Sequence, residues 1–167
     1  EVTAAAAEET GLRPGTPVAI GGGDGACATA RAGVVRPGDA YLYIGASSWI
    51  AYTSREPLYD PAQRTFTFAH LDPDYLFPTG TMQAAGASFD WLERLYRGGA
   101  EGALYDEMEA QAAEAAPGAG GLLYLPYLLG ERSPHWNPRA RGAFVGLTMT
   151  HGRGEMARAV LEGVAFN

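Results

Sequence analysis

An α/β fold is predicted for this chain of 167 residues, and three patterns carry the prediction. "AYLYIGASSWIAYTS" (40–54) is two β-rich runs around a tight turn of small residues. "RTFTFAH" (64–70) alternates with period two, as a third strand does. "QAAGASFDWLERLY" (83–96) puts Phe89, Leu92 and Tyr96 on one helical face. Strands and helices therefore interleave along one chain.

The elements follow in order. Thr3 to Thr10 reads as a short helix with Gly11 as its C-terminal cap. "RPGTP" (13–17) is a turn. Val18–Gly21 reads as a short buried strand, and Ala26–Ala32 as a small-residue helix stopped by Gly33. "RPGD" (36–39) is a second turn and marks a boundary. After the hairpin of 40–54, the strand of 64–70 and the helix of 83–96, "ALYDEMEAQAAEA" (103–115) is a second, mostly polar helix. "GLLYLPYLLG" (121–130) is an apolar strand that its proline assigns to an edge or a bend. "ERSPHWNPRARG" (131–142) reads as a long irregular loop. The last stretch, 155–167, has Met156, Val160 and Val164 at helical spacing, and its apolar residues run on towards Asn167 without a cap. The expectation is a helix cut off from later chain, with apolar surface exposed around those three residues.

Composition excludes some function classes. A formal charge of −7 argues against a nucleic-acid footprint, which needs a basic face. It does not exclude ATP, whose phosphates can be held by backbone N–H groups. One cysteine, Cys27, rules out an internal disulfide, and with three scattered histidines it gives no metal-ligand spacing. No apolar run approaches the roughly 18 residues of a membrane span. No basic, secretion-type segment opens the chain, so a cytoplasmic protein is the expectation.

Three stretches are candidates for chemistry. "GGGDGA" (21–26) clears side chains from around one carboxylate, Asp24, between a strand and a helix. Asp24 reads either as the helix N-cap or as a proton acceptor for a substrate that approaches the bare backbone. "IGASS" (44–48) reads either as a hairpin turn or as a cradle in which N–H groups and the hydroxyls of Ser47 and Ser48 converge on an anion. Gly86, in the first turn of a helix, costs roughly 1 kcal/mol against alanine, which points to something packed close to it: a second helix or a ligand. His70, His135 and His151 have no partner at metal or triad spacing and receive no role. Glu131 and Arg132 read as a structural ion pair, Trp91 as core, and Trp136 as loop packing.

Taken together, "PVAIGGGDGACATARAGVV" (17–35), "YLYIGASSWI" (41–50), "GASFDWL" (86–92), "YLPYLLGERSPHWNPRARGAFVGL" (124–147) and "EMARAVLEGVAF" (155–166) resemble, in content and order, the carbohydrate kinases of the FGGY type. That group includes xylulokinase, glycerol kinase and gluconate kinase. The spacing of Gly142, Phe144, Gly146 and Leu147 from Glu155, Met156, Ala159, Val160, Leu161 and Glu162 fits the family's C-terminal pattern.

The resemblance implies two actin-like domains of the ribonuclease H type with a cleft between them. Residues 1–35 would be the end of the N-terminal domain and 36–167 the first part of the C-terminal, nucleotide-binding domain, an incomplete fragment expected to be inactive alone. It implies ATP-dependent phosphorylation of a sugar or polyol, with ATP and Mg²⁺ as cofactors. A pentulose is the first choice, xylulose foremost, because of "LPYLLGERSPH" (125–135). It implies a small-molecule sugar and ATP as partners, no nucleic acid and no membrane, and it is compatible with a homodimer. Asp24 is implied as general base, Gly25 as a sugar-contact position where the family usually has Asn or Gln, and Trp49 as the substrate-side wall. Gly45, Ala46 and Ser47 would touch the ATP phosphates, with Ser47 or Ser48 supplying the hydroxyl that the family's usual Thr would give at Ala46. Gly86 would contact the nucleotide. Asp90 stands on the nucleotide side where Gln is common, and there a carboxylate has to point away from phosphate. An alternative from another class is a non-catalytic sugar or nucleotide sensor, in which Gly25, Ala46 and Asp90 are marks of decay.

Overall fold

A computed structural model describes residues 1–99 and 101–167. The three-residue turn Gly45–Ser47 sets the register of the central hairpin: Ile44 pairs with Ser48, Tyr43 with Trp49 and Tyr41 with Ala51. Its strands, β1 (Ala40–Ile44) and β2 (Ser48–Tyr52), join β3 (Phe66–Ala69) and β4 (Leu76–Met82) in an antiparallel sheet of order β1-β2-β4-β3.

β4 escapes the sequence reading because it holds Pro78 and Gly80, yet it pairs on both sides. Hydrogen-bonded pairs alternate along an antiparallel ladder. Ser54 and Leu76 exchange bonds of 2.9 and 2.8 Å. Two residues on, Tyr52 faces Pro78, which has no N–H to give. The β2–β4 ladder is interrupted there and runs on from Thr79 to Met82.

Helix α1 (Ala4–Thr10) ends at Gly11 as its sequence predicts, and Thr3, read as its first residue, is its N-cap. The Thr3 hydroxyl accepts the Ala6 N–H at 3.2 Å, and Gly11 closes the helix at φ 73°. Val18–Gly21 corrects the reading: it forms no strand, and Val18 and Ile20 are exposed. Among the described residues no strand lies beside it, so an apolar run with good β-propensity has neither ladder nor cover. Helix α2 (Asp24–Arg31) begins two residues earlier than predicted and lays Ala26 on Ala51 and Phe77 of the sheet, with Tyr41 and Trp49 packed around them.

The larger core lies in the second half of the chain. Leu92 of α3 (Gly86–Arg97), Met108 and Ala112 of α4 (Tyr105–Glu114), and Val160 of α5 (Arg153–Phe166) pack with Leu122 and Tyr124. The apolar run 121–130 yields only β5 (Leu123–Leu125), which ends where Pro126 removes an N–H and pairs with a short strand that the sequence did not reveal, β6 (Ala143–Val145). Residues 131–142 carry no named helix or strand, as read. The expected exposed surface is corrected as well: Val160 is fully buried, and Met156 and Val164 are partly buried. Exposed apolar groups include Leu42, Ile44 and Ile50 on the sheet and Leu161 and Phe166 on α5.

Candidate active site

The glycine run delivers Asp24 to the mouth of a cavity. Gly21 sits at φ 75°, a left-handed conformation that favours glycine. A β-carbon on Gly22 would lie 2.2 Å from Leu71 Cδ2, so any side chain there would have to displace the exposed Leu71. Gly23 is the N-cap of α2 and Asp24 its first helical residue, which corrects the N-cap reading of Asp24. The Asp24 carboxylate accepts the Gly25 N–H through Oδ1 at 2.8 Å. Oδ2 has no partner among the described residues, and the side chain is exposed.

Asp24, Gly25 and Trp49, the three residues assigned to the sugar side, line one cavity of about 440 Å³ together with Phe68, Phe77 and Thr79. The Trp49 ring stacks on its cross-strand partner Tyr43, with centroids 3.8 Å apart and planes at 18°. Its indole N–H donates to the Tyr41 hydroxyl at 2.7 Å. Thr29 and Tyr41 were missed by the sequence reading. The hairpin register held the signal for Tyr41, because a turn of three residues puts residues 41, 43 and 49 on one face of the sheet.

The turn Gly45–Ser47 and the start of α3 form a single unit. The N–H groups of Ala85, Gly86 and Ala87 donate to the Ala46, Gly45 and Ala46 carbonyls at 2.9, 2.9 and 3.1 Å. A β-carbon on Gly86 would lie 2.6 Å from the Gly45 oxygen, so the close neighbour that the glycine implied is the hairpin turn. Within the turn the Gly45 N–H donates to Ser47 O at 2.8 Å, while the N–H groups of Ala46 and Ser47 have no acceptor among the described residues. Ser48 and Gly86 border a second cavity of about 460 Å³, whose walls are mostly apolar: Leu42, Ile44, Phe89 and Val160. Asp90 lines neither cavity. Its carboxylate accepts from the Tyr105 hydroxyl and the Arg94 guanidinium, which together hold it below the usual carboxylate range.

The expected Glu131–Arg132 ion pair is not formed. Glu131 is 2% exposed, and its Oε1 accepts the N–H groups of Gln83 at 3.0 Å and Arg132 at 2.8 Å. Burial pushes its carboxyl up, and the two N–H bonds only partly counter that. The Arg132 guanidinium lies instead over the Phe66 ring, 5.9 Å from its centroid. His70 is structural: Nδ1 accepts the Asp72 N–H at 3.0 Å, so the Nε2–H donates to the Val34 carbonyl at 3.2 Å. Trp91 packs against the larger core, and Trp136 packs edge-on against Phe66. Among the described residues no three His, Cys, Asp or Glu side chains converge as metal ligands, and no helix is long and apolar enough to cross a membrane.

The structure is a mixed α/β fold that carries an acid at the mouth of one cavity and, on the central hairpin, a turn with two open N–H groups. The model of the FGGY family of carbohydrate kinases, C-terminal domain, matches residues 40–167. The chain belongs to the FGGY family of carbohydrate kinases, whose members are phosphotransferases. It is 36% identical over 166 residues to the xylulose kinase of Staphylococcus epidermidis, covering 99% of this chain and 33% of that protein. The crystal structure of xylulose kinase from Rhodospirillum rubrum matches it with a TM-score of 0.85 and 41% identity, over 98% of this chain and 32% of that one. Gluconate kinase from Lactobacillus acidophilus matches with a TM-score of 0.88 and 32% identity, over 99% and 33%. The chain therefore spans about a third of the length of the relatives it matches, and its architecture is the actin-like one of those kinases.

Proposed function

We propose that this chain supplies part of the catalytic cleft of an ATP-dependent sugar kinase, which transfers the γ-phosphate of ATP to a hydroxyl of a pentulose, xylulose foremost. The observation that carries the reading is the convergence of Asp24, Gly25 and Trp49 on one cavity, although 25 residues separate the acid from the aromatic ring. Residues 1–35 are then the end of the N-terminal domain and 36–167 the opening of the C-terminal one, with the sugar cavity at their contact. "LPYLLGERSPH" (125–135) and the names of the relatives favour xylulose, with gluconate next.

The chemistry asks little of the base. Phosphoryl transfer has a loose transition state, so positioning and charge stabilisation dominate. With Oδ1 of Asp24 held by the Gly25 N–H, Oδ2 is the oxygen that accepts the sugar hydroxyl proton as the new O–P bond forms. The Trp49 ring offers its face to the apolar side of a sugar. The open N–H groups of Ala46 and Ser47, with the neighbouring serine hydroxyls, suit phosphate oxygens. ATP therefore fits the residues present.

The full-length protein, assayed with ATP and Mg²⁺ against ketoses, aldonates and polyols, should release ADP fastest with a pentulose. Absence of transfer to any of them would overturn the reading. Tight sugar or nucleotide binding without transfer would identify a sensor instead.

A further inference from the structure

We infer that Tyr41 and Thr29 form a hydrogen-bonded strut that holds the aromatic wall of the sugar cavity at a fixed position relative to the helix bearing Asp24, and that both are positioning residues for the sugar end of the reaction. The inference rests on the kinase reading above.

The direction of the strut follows from the donors. The indole of Trp49 can only donate, and its N–H reaches the Tyr41 oxygen at 2.7 Å. The Thr29 hydroxyl donates to the Gly25 carbonyl at 2.7 Å, which uses its one hydrogen. The 3.2 Å contact between Tyr41 and Thr29 then has Tyr41 as donor and Thr29 as acceptor. The chain of bonds runs one way, from Trp49 through Tyr41 and Thr29 to the peptide carbonyl next to Asp24. Every hydroxyl in it both donates and accepts.

Its surroundings make it rigid. Thr29 is fully buried, so water does not compete for its hydroxyl. Tyr43 covers one face of the Trp49 ring. Turning that ring over would break the bond to Tyr41 and leave the indole N–H without its partner. The strut also crosses the turn at 36–39, joining residues 1–35 to the sheet. Among the described residues the other polar ties across that turn, Thr53 Oγ1 to Val34 O at 2.9 Å and His70 to the same carbonyl, end on residue 34, beyond the C-terminus of α2. The strut is the tie that ends beside the acid.

The test uses the full-length protein and steady-state kinetics towards both substrates. Tyr41→Phe and Thr29→Val each remove one hydroxyl and keep the bulk of the side chain; Thr29→Ser keeps the hydroxyl. A displacement of about 1 Å at a reacting centre can cost on the order of 100-fold, so the first two variants should lose roughly 10- to 100-fold in kcat/KM for the sugar. The KM for ATP should stay within about twofold, Thr29→Ser should recover most of the loss, and the double variant should be no worse than the poorer single one. Equal losses towards sugar and ATP, or no rescue by serine, would make the contacts merely structural and overturn the inference. Near-normal sugar kinetics in Tyr41→Phe would overturn it while the kinase reading stood. A wild-type protein that transfers no phosphate would remove the kinase reading itself, and the strut's role with it.

Discussion

On the side of the sheet that meets α2, Ala51 and Phe77 are buried beneath Ala26, and the hydroxyls of Tyr41, Thr29 and Thr53 all have partners. On the opposite side, Leu42, Ile44 and Ile50 stand 61, 64 and 57% exposed around a cavity whose far wall is α5. The two cavities are nearly equal in size, about 440 and 460 Å³, so volume does not mark the site. Trp49 borders both, and what distinguishes them is what stands beside it: one side carries an acid and the one-way chain of hydrogen bonds that orients the indole, and the other sets Ser48, Ser133 and Asn167 among hydrocarbon. A pocket that does chemistry needs its few polar groups fixed, and beneath α2 the fully buried Thr29 hydroxyl fixes them.

Mutations can break or sharpen this contrast. The largest effect should come from Phe77→Ala, which empties the contact between α2 and the sheet. It should cost roughly 3–5 kcal/mol of stability in urea unfolding, whereas Ile50→Ala on the open side should cost within about 0.5 kcal/mol. Equal costs would erase the distinction between the two sides. Gly86→Ala comes next. Its β-carbon would meet the Gly45 carbonyl at 2.6 Å, and overpacking of that kind typically costs about 1–3 kcal/mol. It should also raise the KM for ATP while leaving the KM for sugar unchanged, because it displaces the turn and not α2. A sugar-side effect instead would place the turn in the wrong half of the reaction.

The smallest effect is a pH dependence at the buried Glu131. Its carboxyl titrates above the usual 4.5 because it is buried. A raised value in the folded state means a stability contribution present below about pH 4.5 and lost as pH rises through the raised value. Glu131→Gln keeps an oxygen for the Gln83 and Arg132 N–H groups and removes the charge. The thermal midpoint of the variant relative to wild type should therefore climb between pH 4 and pH 7. A relative fall over that range would show that the N–H bonds favour the carboxylate more than burial opposes it.

Local chemistry made the hairpin and α1 legible, since a small-residue turn between β-rich runs and a glycine cap act over a few residues. β4 was hidden because Pro78 is tolerated where a single ladder bond is lost. Val18–Gly21 misled because an apolar run predicts a strand only if a neighbour exists to pair with it. Glu131 and Arg132 misled because adjacency in sequence does not aim two side chains at each other. Asp24 and Trp49 could be linked in advance only through the family resemblance. The packing of Ala26 on Ala51 joins them, and no local pattern encodes it.

The most direct test of Asp24 as the base on the α2 side is turnover of the Asp24→Asn protein, with sugar affinity and stability measured alongside. Asparagine keeps an Oδ1 for the Gly25 N–H and fills the same space, so binding and folding should be nearly unchanged. Turnover should fall by roughly 100- to 10,000-fold, the usual size of a general-base contribution. Turnover close to wild type would show that the glycine run clears space around an acid that takes no proton, and the catalytic assignment of this side of the sheet would be wrong.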